Sequence, residues 1–275
     1  MGLRISTNVP SLNAQRQLKQ NSGGIETSMQ RLSSGSRINK SSDDVAGLAI
    51  SEKMRGQIRG LAQAQRNAQD GVSFVQVADG ALGETSNILI RVRELATQAA
   101  SDTVGESERK LINVEVQQLV TELDRISDIT EYSGTKLLNG SGGKLDFHVG
   151  AGGGDNNVIS FEAGEANASA SSLGVSGMGV ASKDDARSTL SGIDAALEKV
   201  GTMRANFGAI QSRMGATINN LGVYEENLAA ANSRIRDTDF AKEAADLAKN
   251  SIVQQASVAT LTQANTNTAL ALKLL

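Results

Sequence analysis

Between Ala186 and Leu228 the chain keeps one apolar stripe in phase for six heptads. Stepping alternately four and three residues gives Ala186, Leu190, Ile193, Leu197, Val200, Arg204, Phe207, Gln211, Met214, Ile218, Leu221, Glu225 and Leu228; ten of the thirteen are apolar and no proline interrupts them. Ser182, three residues before Asp185, forms a capping-box pattern at the start, and Asp184 and Asp185 stand at the positive end of the helix. At the α-helical rise this stretch is about 65 Å long, whereas a compact globule of the same chain would be only about 48 Å across. An elongated molecule is expected, with other long helices beside this one.

Two further segments share that period. Leu61, Gln65, Ala68, Val72, Val75, Asp79, Leu82, Ser86 and Leu89 follow the same step within a helical pattern that begins at Val45, and its glycines at 47, 56, 60 and 71 could let backbones approach. After a break at residues 101–105, Ile112, Val116, Leu119, Leu123 and Ile126 repeat it again. An earlier helix carries Ile5, Val9 and Leu12, then Leu18, Ile25, Met29 and Leu32 after a shift of face. Pro10 fits its first turn, Ser33-Ser34-Gly35 fits its end, and residues 39–44 form a connector in which Ser41 and Asp44 match a second capping box. Between Tyr132 and Ser182 the period changes: Ser133-Gly134 and Asn139-Gly140 are turn signals, Leu145, Phe147 and Val149 alternate as a strand, and residues 158–162 return after a glycine-rich loop. The 163–181 stretch is mostly Ala, Ser and Gly and is expected to lack a substantial core. The fold class is mainly α: an elongated antiparallel helical bundle or coiled-coil rod with a small β-hairpin excursion.

Only 3% of the residues are aromatic, none is Trp and none is Cys, so thiolate chemistry and disulfides are excluded, and an Ala- and Leu-built bundle suits the composition better than an enzyme cleft. His148 is the one histidine, which rules out a multi-histidine zinc site or triad; it reads as a strand-face residue beside Phe147. The Gly150–Gly154 run is followed by a strand instead of a helix, so it reads as a hairpin loop and not a phosphate loop. The pairs Asp43-Asp44 and Asp184-Asp185 sit where helices start, which makes them caps before they are acid–base carboxylates. Asn139-Gly-Ser141 and Asn167-Ala-Ser169 match a glycosylation acceptor pattern of low weight in a chain with no secretory leader pattern. Residues 1–66 carry ten Lys or Arg against four acids, yet no aromatic residue precedes Phe74, so no nucleic-acid partner is expected. Cofactors and metals are not expected either.

Asp239 is placed to cap a last helix from Phe240 onward. Asn250 to Leu272 holds no charged residue in twenty-three, but twelve Ser, Thr, Asn or Gln exclude a membrane span. Its apolar residues go round most of the circumference, so the helix is expected to be buried on several sides by neighbouring copies. Arg234, Arg236, Asp237 and Asp239 form a charge cluster that reads either as an internal salt-bridged junction or as a contact between subunits.

The chain resembles bacterial flagellin, the filament-subunit family, through Ile5-Ser-Thr-Asn8, Ser11-Leu-Asn-Ala-Gln-Arg16, Leu32-Ser-Ser-Gly35, Arg37-Ile-Asn39, Asp43-Asp44 with Ala46-Gly-Leu-Ala-Ile50, and Gln69-Asp-Gly71. Arg91-Val-Arg-Glu-Leu-Ala96, Ile218-Asn-Asn-Leu221, Glu226-Asn-Leu228 and Ser233-Arg-Ile-Arg-Asp237 continue the match toward the other end. The resemblance implies that residues 1–44 and 232–275 are the two halves of an inner helical domain and that 45–231 form a rod with a hairpin region at 140–180, a short form without large outer domains. It implies an extracellular helical homo-oligomer for motility, exported by the flagellar type III apparatus and meeting an export chaperone, filament cap and hook–filament junction proteins. The residues then expected in filament or chaperone contacts are Phe240, Leu247, Ile252, Val258, Leu261, Leu270 and Leu272, with Ile5, Val9, Leu12, Leu18, Ile25, Met29 and Leu32 on the amino-terminal helix. The family's surface for a Toll-like innate immune receptor falls on Leu89, Arg91, Leu95 and Glu115, with Ile90 where Gln is usual. A hook–filament junction protein, or a soluble coiled-coil adaptor, is the alternative reading; no enzymatic constellation competes.

Overall fold

The structure is a computed structural model that describes the backbone of residues 7–273 and, except for 165 and 267–273, their side chains. It divides into two compact units, residues 1–56 with 227–275 and residues 57–226. Six α-helices run through the described residues: α1 (Val9–Ser34), α2 (Val45–Ala99), α3 (Glu106–Ile129), α4 (Ala170–Leu173), α5 (Lys183–Arg236) and α6 (Phe240–Lys273). Two antiparallel strand pairs complete it, β1 (Glu131–Tyr132) with β2 (Thr135–Lys136) and β3 (Lys144–His148) with β4 (Val158–Glu162).

The 57–226 unit is a helical rod built on the seam of α5. Ala186, Ile193, Val200, Phe207, Met214 and Leu221, each seven residues from the next, are all buried, and Ser182 Oγ accepts the Asp185 N–H at 3.1 Å as the capping pattern requires. α2 runs antiparallel to α5: Gly71 lies against Met214, Asp79 pairs with Arg204 at 2.8 Å and Asp194 with Arg93 at 2.8 Å. Leu61, Ala68, Val75, Leu82 and Leu89 of α2 and Val116 and Leu123 of α3 supply the facing core. A side chain at Gly71 would put its Cβ 2.7 Å from Met214 Cε and 3.2 Å from Phe147, so here glycine admits both neighbours.

Five of the seven aromatic residues are gathered where the hairpins lie on the rod. Phe74 makes edge-to-face contacts with Tyr132, Phe147 and Phe161 at centroid separations of 5.6–5.8 Å, and Phe161 meets Phe207 at 5.0 Å. β3 and β4 pair from Lys144 with Glu162 to His148 with Val158, in the register of the alternating pattern; Leu145 and Phe147 face inward and His148 outward. Ser133 and Gly134, both at positive φ (50° and 82°), make the two-residue turn of the β1–β2 pair, which the sequence marked only as a turn.

The expectation for residues 163–181 is corrected. Ala163, Ala168, Ala170, Leu173, Val175 and Val180 are buried in the main core, so this segment is a strap that adds to the core the sequence reading expected it to lack. Small side chains let its backbone lie close to α3 and α5, whose polar side chains fasten it. Asp124 accepts the Ala170 N–H at 2.7 Å, Asn113 accepts the Val180 N–H at 2.8 Å, and Gln117 donates to the Met178 carbonyl at 2.7 Å. Lys199 donates to the Ser172 carbonyl at 2.9 Å and Thr189 to that of Gly179 at 2.8 Å.

Removing the Phe161 ring takes away contacts to both Phe74 and Phe207. Phe161→Ala is expected to destabilise the 57–226 unit by about 3–5 kcal/mol, read as a lower thermal midpoint in circular dichroism.

Candidate assembly surface

The other unit pairs α1 with α6, antiparallel and close enough for their Cα atoms to lie within 8 Å along the contact. The expected Gly35 end and Asp239 cap hold: Gly35 closes α1 in the left-handed conformation, and Asp239 accepts from Ala241 and Lys242 at 3.0 and 3.1 Å; at the other end of α1, beside Pro10, Asn8 is a cap the sequence reading did not name, accepting the Ser11 N–H at 3.1 Å. The second capping box does not form with Ser41. Asp44 itself caps α2, accepting the Gly47 N–H at 2.8 Å, while Asp43 folds back to accept the N–H groups of Asn39 (3.0 Å) and Lys40 (2.9 Å). Those two amide donors, Lys40 first, hold the Asp43 carboxyl below its ordinary value.

The faces that α1 and α6 turn to each other also follow a four-three step, but half of the positions are polar. They are Ser11, Ala14, Leu18, Asn21, Ile25, Ser28 and Leu32 on α1, and Glu243, Leu247, Asn250, Gln254, Ser257, Leu261 and Ala264 on α6, all buried or half-buried. Asn21 Nδ2 donates to the Asn250 carbonyl at 2.6 Å, Asn8 Nδ2 to that of Ala264 at 3.1 Å, and Gln254 Nε2 to Ser22 Oγ at 3.4 Å. Arg31 pairs with Glu243, which is only 8% exposed, at 3.6 Å. Meanwhile large apolar side chains face outward: Val9, Leu12 and Met29 on α1, and Phe240 (68% exposed), Ile252 (67%), Val253 and Val258 on α6.

This sorts the expected contact residues into two groups. Leu18, Ile25, Leu32, Leu247 and Leu261 are half-buried on the intramolecular seam and are turned toward the partner helix, so they are not free for a neighbour. Val9, Leu12, Met29, Phe240, Ile252 and Val258 are free. Ile5 lies outside the described residues, as do the side chains of Leu270 and Leu272. The shift of face seen in α1 separates exposed Val9 and Leu12 from half-buried Leu18, Ile25 and Leu32, but Met29, which follows it, is exposed. The charge cluster is mostly internal: Arg236 pairs with Glu52 at 2.5 Å, Asp237 bridges to Ser36 through the backbone, and Asp239 is the α6 cap. Arg37 binds the Ile235 carbonyl at 2.7 and 3.2 Å, and Arg234 is exposed.

The four residues on which the resemblance would place a receptor surface also divide. Arg91 and Glu115 are exposed and joined at 3.0 Å, with Glu94 on the same guanidinium at 3.1 Å, and these carboxylates, Glu115 first, raise the Arg91 pKa. Leu89 and Leu95, only 1% and 3% exposed, are core residues, which corrects their placement on a docking surface; Ile90 stands outside. A groove of about 660 Å³ beside the glycine-rich turn is lined by Gln57, Arg213, Asn220 and Tyr224 among others, without a carboxylate or histidine. Among the described residues no three His, Cys, Asp or Glu side chains cluster as a metal site, and no helix is long and apolar enough to cross a membrane.

Comparison with known proteins places this arrangement. The model of the bacterial flagellin N-terminal helical region matches residues 5–142, and that of the C-terminal helical region matches 190–275. The chain belongs to the bacterial flagellin family. A flagellin of Halalkalibacterium halodurans is 44% identical over 98% of this chain and 99% of its own. The flagellar filament 30.7 kDa core protein of Treponema maltophilum is 42% identical over 95% and 96%, and Bacillus subtilis flagellin is 42% identical over 96% of each. Among solved structures, Bacillus cereus flagellin matches with a TM-score of 0.51 at 29% identity, covering 61% of this chain and 94% of that one. The fold is shared with a putative flagellar hook-associated protein from Vibrio parahaemolyticus, at a TM-score of 0.59 and 12% identity, covering 71% of this chain and 100% of that one.

The depressed Asp43 carboxyl gives a pH signature to this flagellin's connector. Its stabilising effect is present above its ordinary value of 3.8 and is lost as the pH falls through the lower, folded value. The thermal-midpoint gap between wild type and Asp43→Asn, followed by circular dichroism, should be widest near neutrality and should close on acidification below 3.8.

Proposed function

We infer that the outward apolar rows of α1 and α6 are the surfaces through which this flagellin polymerises. The chain is a subunit of the extracellular bacterial flagellar filament and serves motility; the junction-protein alternative is not favoured by its relatives. One observation carries the mechanism: half the positions of the α1–α6 seam are serine, amide or carboxylate groups, while large apolar side chains such as Met29, Phe240 and Ile252 stay in water. Packing among identical copies removes that apolar surface at about 25 cal/mol per Å², which couples ordering of the terminal helices to assembly. A filament requires the contact to repeat head-to-tail without closing.

The finer parts of the reading follow from family membership. Export runs through the flagellar type III apparatus, an export chaperone covers the exposed row of α6 before assembly, and the filament meets cap and hook–filament junction proteins. The role is structural and not enzymatic. A Toll-like receptor would contact Arg91, Glu115 and Ile90, with Leu89 and Leu95 holding the helix that presents them.

Deleting 236–275 should leave the rod folded by circular dichroism and abolish filaments in electron micrographs; cooperative loss of all helical signal would contradict the division. The milder pair Ile252→Asp and Val258→Asp should each raise the protein concentration needed for assembly at least about tenfold, the equivalent of ~1.4 kcal/mol per contact, with rod unfolding unchanged.

A further inference from the structure

We propose that Asn139 is a self-modifying position: in the folded chain its side-chain amide is lost to attack by the next backbone nitrogen, while Asn167, its counterpart across a β-bridge, is shielded. The two Asn-x-Ser motifs fold alike. Asn139 Oδ1 accepts the Ser141 N–H at 3.0 Å and the Ser141 hydroxyl at 2.6 Å, and Asn167 Oδ1 accepts the same two groups of Ser169 at 3.0 and 2.7 Å. Both asparagines are half-buried, and they face each other in an antiparallel bridge. What separates them is the residue that follows. Gly140 completes the one Asn-Gly pair in the chain; it is half-exposed and has no Cβ to keep its nitrogen away from the carboxamide carbon. Ala168 is fully buried, and its N–H donates to the Leu138 carbonyl at 2.8 Å.

The reaction needs only water. A base takes the Gly140 amide proton, the nitrogen bonds to Asn139 Cγ, and negative charge gathers on Oδ1, where the two Ser141 donors already point. As the Cγ–Nδ2 bond breaks, Nδ2 takes up a proton and departs as ammonia, leaving a succinimide ring. Water opens that ring at either carbonyl, so asparagine and water become aspartate or isoaspartate and ammonia. At Asn167 the same attack would first break the buried Ala168–Leu138 hydrogen bond, which leaves a carbonyl in the core short of a donor. Isoaspartate carries an extra methylene in the main chain beside Leu138, whose carbonyl accepts Ser127 Oγ at 2.7 Å as well as Ala168, so the product sits where the strap is anchored. None of this depends on the filament reading.

The full chain is kept folded in mildly alkaline buffer made with heavy-oxygen water, sampled over time, digested and read by peptide mass spectrometry, so that only acid formed during the incubation is labelled. Asn139 should convert at least about tenfold faster than Asn167, a barrier difference of about 1.4 kcal/mol. Ser141→Ala should slow the conversion of Asn139 and Ser141→Thr should restore it; if Ser141 only stiffened the turn, its loss would speed the reaction instead. In urea, which frees the Ala168 N–H, the ratio of the two rates should shrink. A smaller ratio in the folded chain, a Ser141→Ala variant in which Asn139 is not slowed, or a ratio that holds or grows in urea would each overturn the proposal.

Discussion

The decisive constraint is where the chain puts its polar side chains. The rod closes its own seam, since α5 meets α2 and α3 through Ile193, Val200, Phe207 and Met214, and its charged pairs, such as Arg93 with Asp194, lie at the surface where they contribute little. The terminal pair does the reverse. Ser11, Ser28, Glu243 and Ser257 occupy the interface, and Phe240, Ile252 and Val258 do not. In the assembly proposed above, the rod has its core within itself and the terminal pair has its outward apolar side chains covered by further copies.

The legible part of the fold was the part in which apolar residues mark the interface. A six-heptad stripe with ten apolar positions of thirteen identifies α5 because burial and hydrophobicity coincide there. In α6 they separate: a search for apolar periodicity finds residues all round the helix, and the seam that exists, Glu243 to Ala264, is visible only when Ser, Asn and Gln are counted as interface residues. The strap at 163–181 was hidden for a related reason. Alanine gives little hydrophobic signal per residue, yet it lets a backbone come close enough for Asn113, Gln117 and Asp124 to bind its amides and carbonyls. Leu95 shows the opposite limit. A motif names neighbours in sequence, but on α2 Leu95 is buried while Arg91 and Glu94 are exposed, and unlike Leu89, which already stood on the four-three stripe, its burial is told by the rod's packing.

The rarity of aromatic residues also acquires a place. A core of Ala, Leu and Val suits long parallel ridges, where small repeating side chains interdigitate, but two short hairpins offer too little area to hold themselves on such a surface. Phe74, Tyr132, Phe147, Phe161 and Phe207 are spent at that one junction, where ring-edge contacts fix orientation as well as burying area. Gly71 belongs to the same solution, since a Cβ there would clash with Met214 and crowd Phe147.

The charge distribution sets what the apolar rows must overcome. Residues 1–56 and 227–275 hold thirteen Lys or Arg against eight acids, a net +5, and residues 57–226 hold fourteen against twenty-two, a net −8. The basic excess that a nucleic-acid binder would display on one face lies instead in the unit whose apolar side chains are exposed. In the assembly proposed above, packing terminal units on terminal units brings like charge together, and that repulsion is screened beyond about 10 Å at 0.1 M salt. Apolar burial must therefore supply the attraction at short range in that assembly, and Ile252 and Val258 stand outward on α6 to supply it, while the seam toward α1 mixes Leu247 and Leu261 with serine, amide and carboxylate groups.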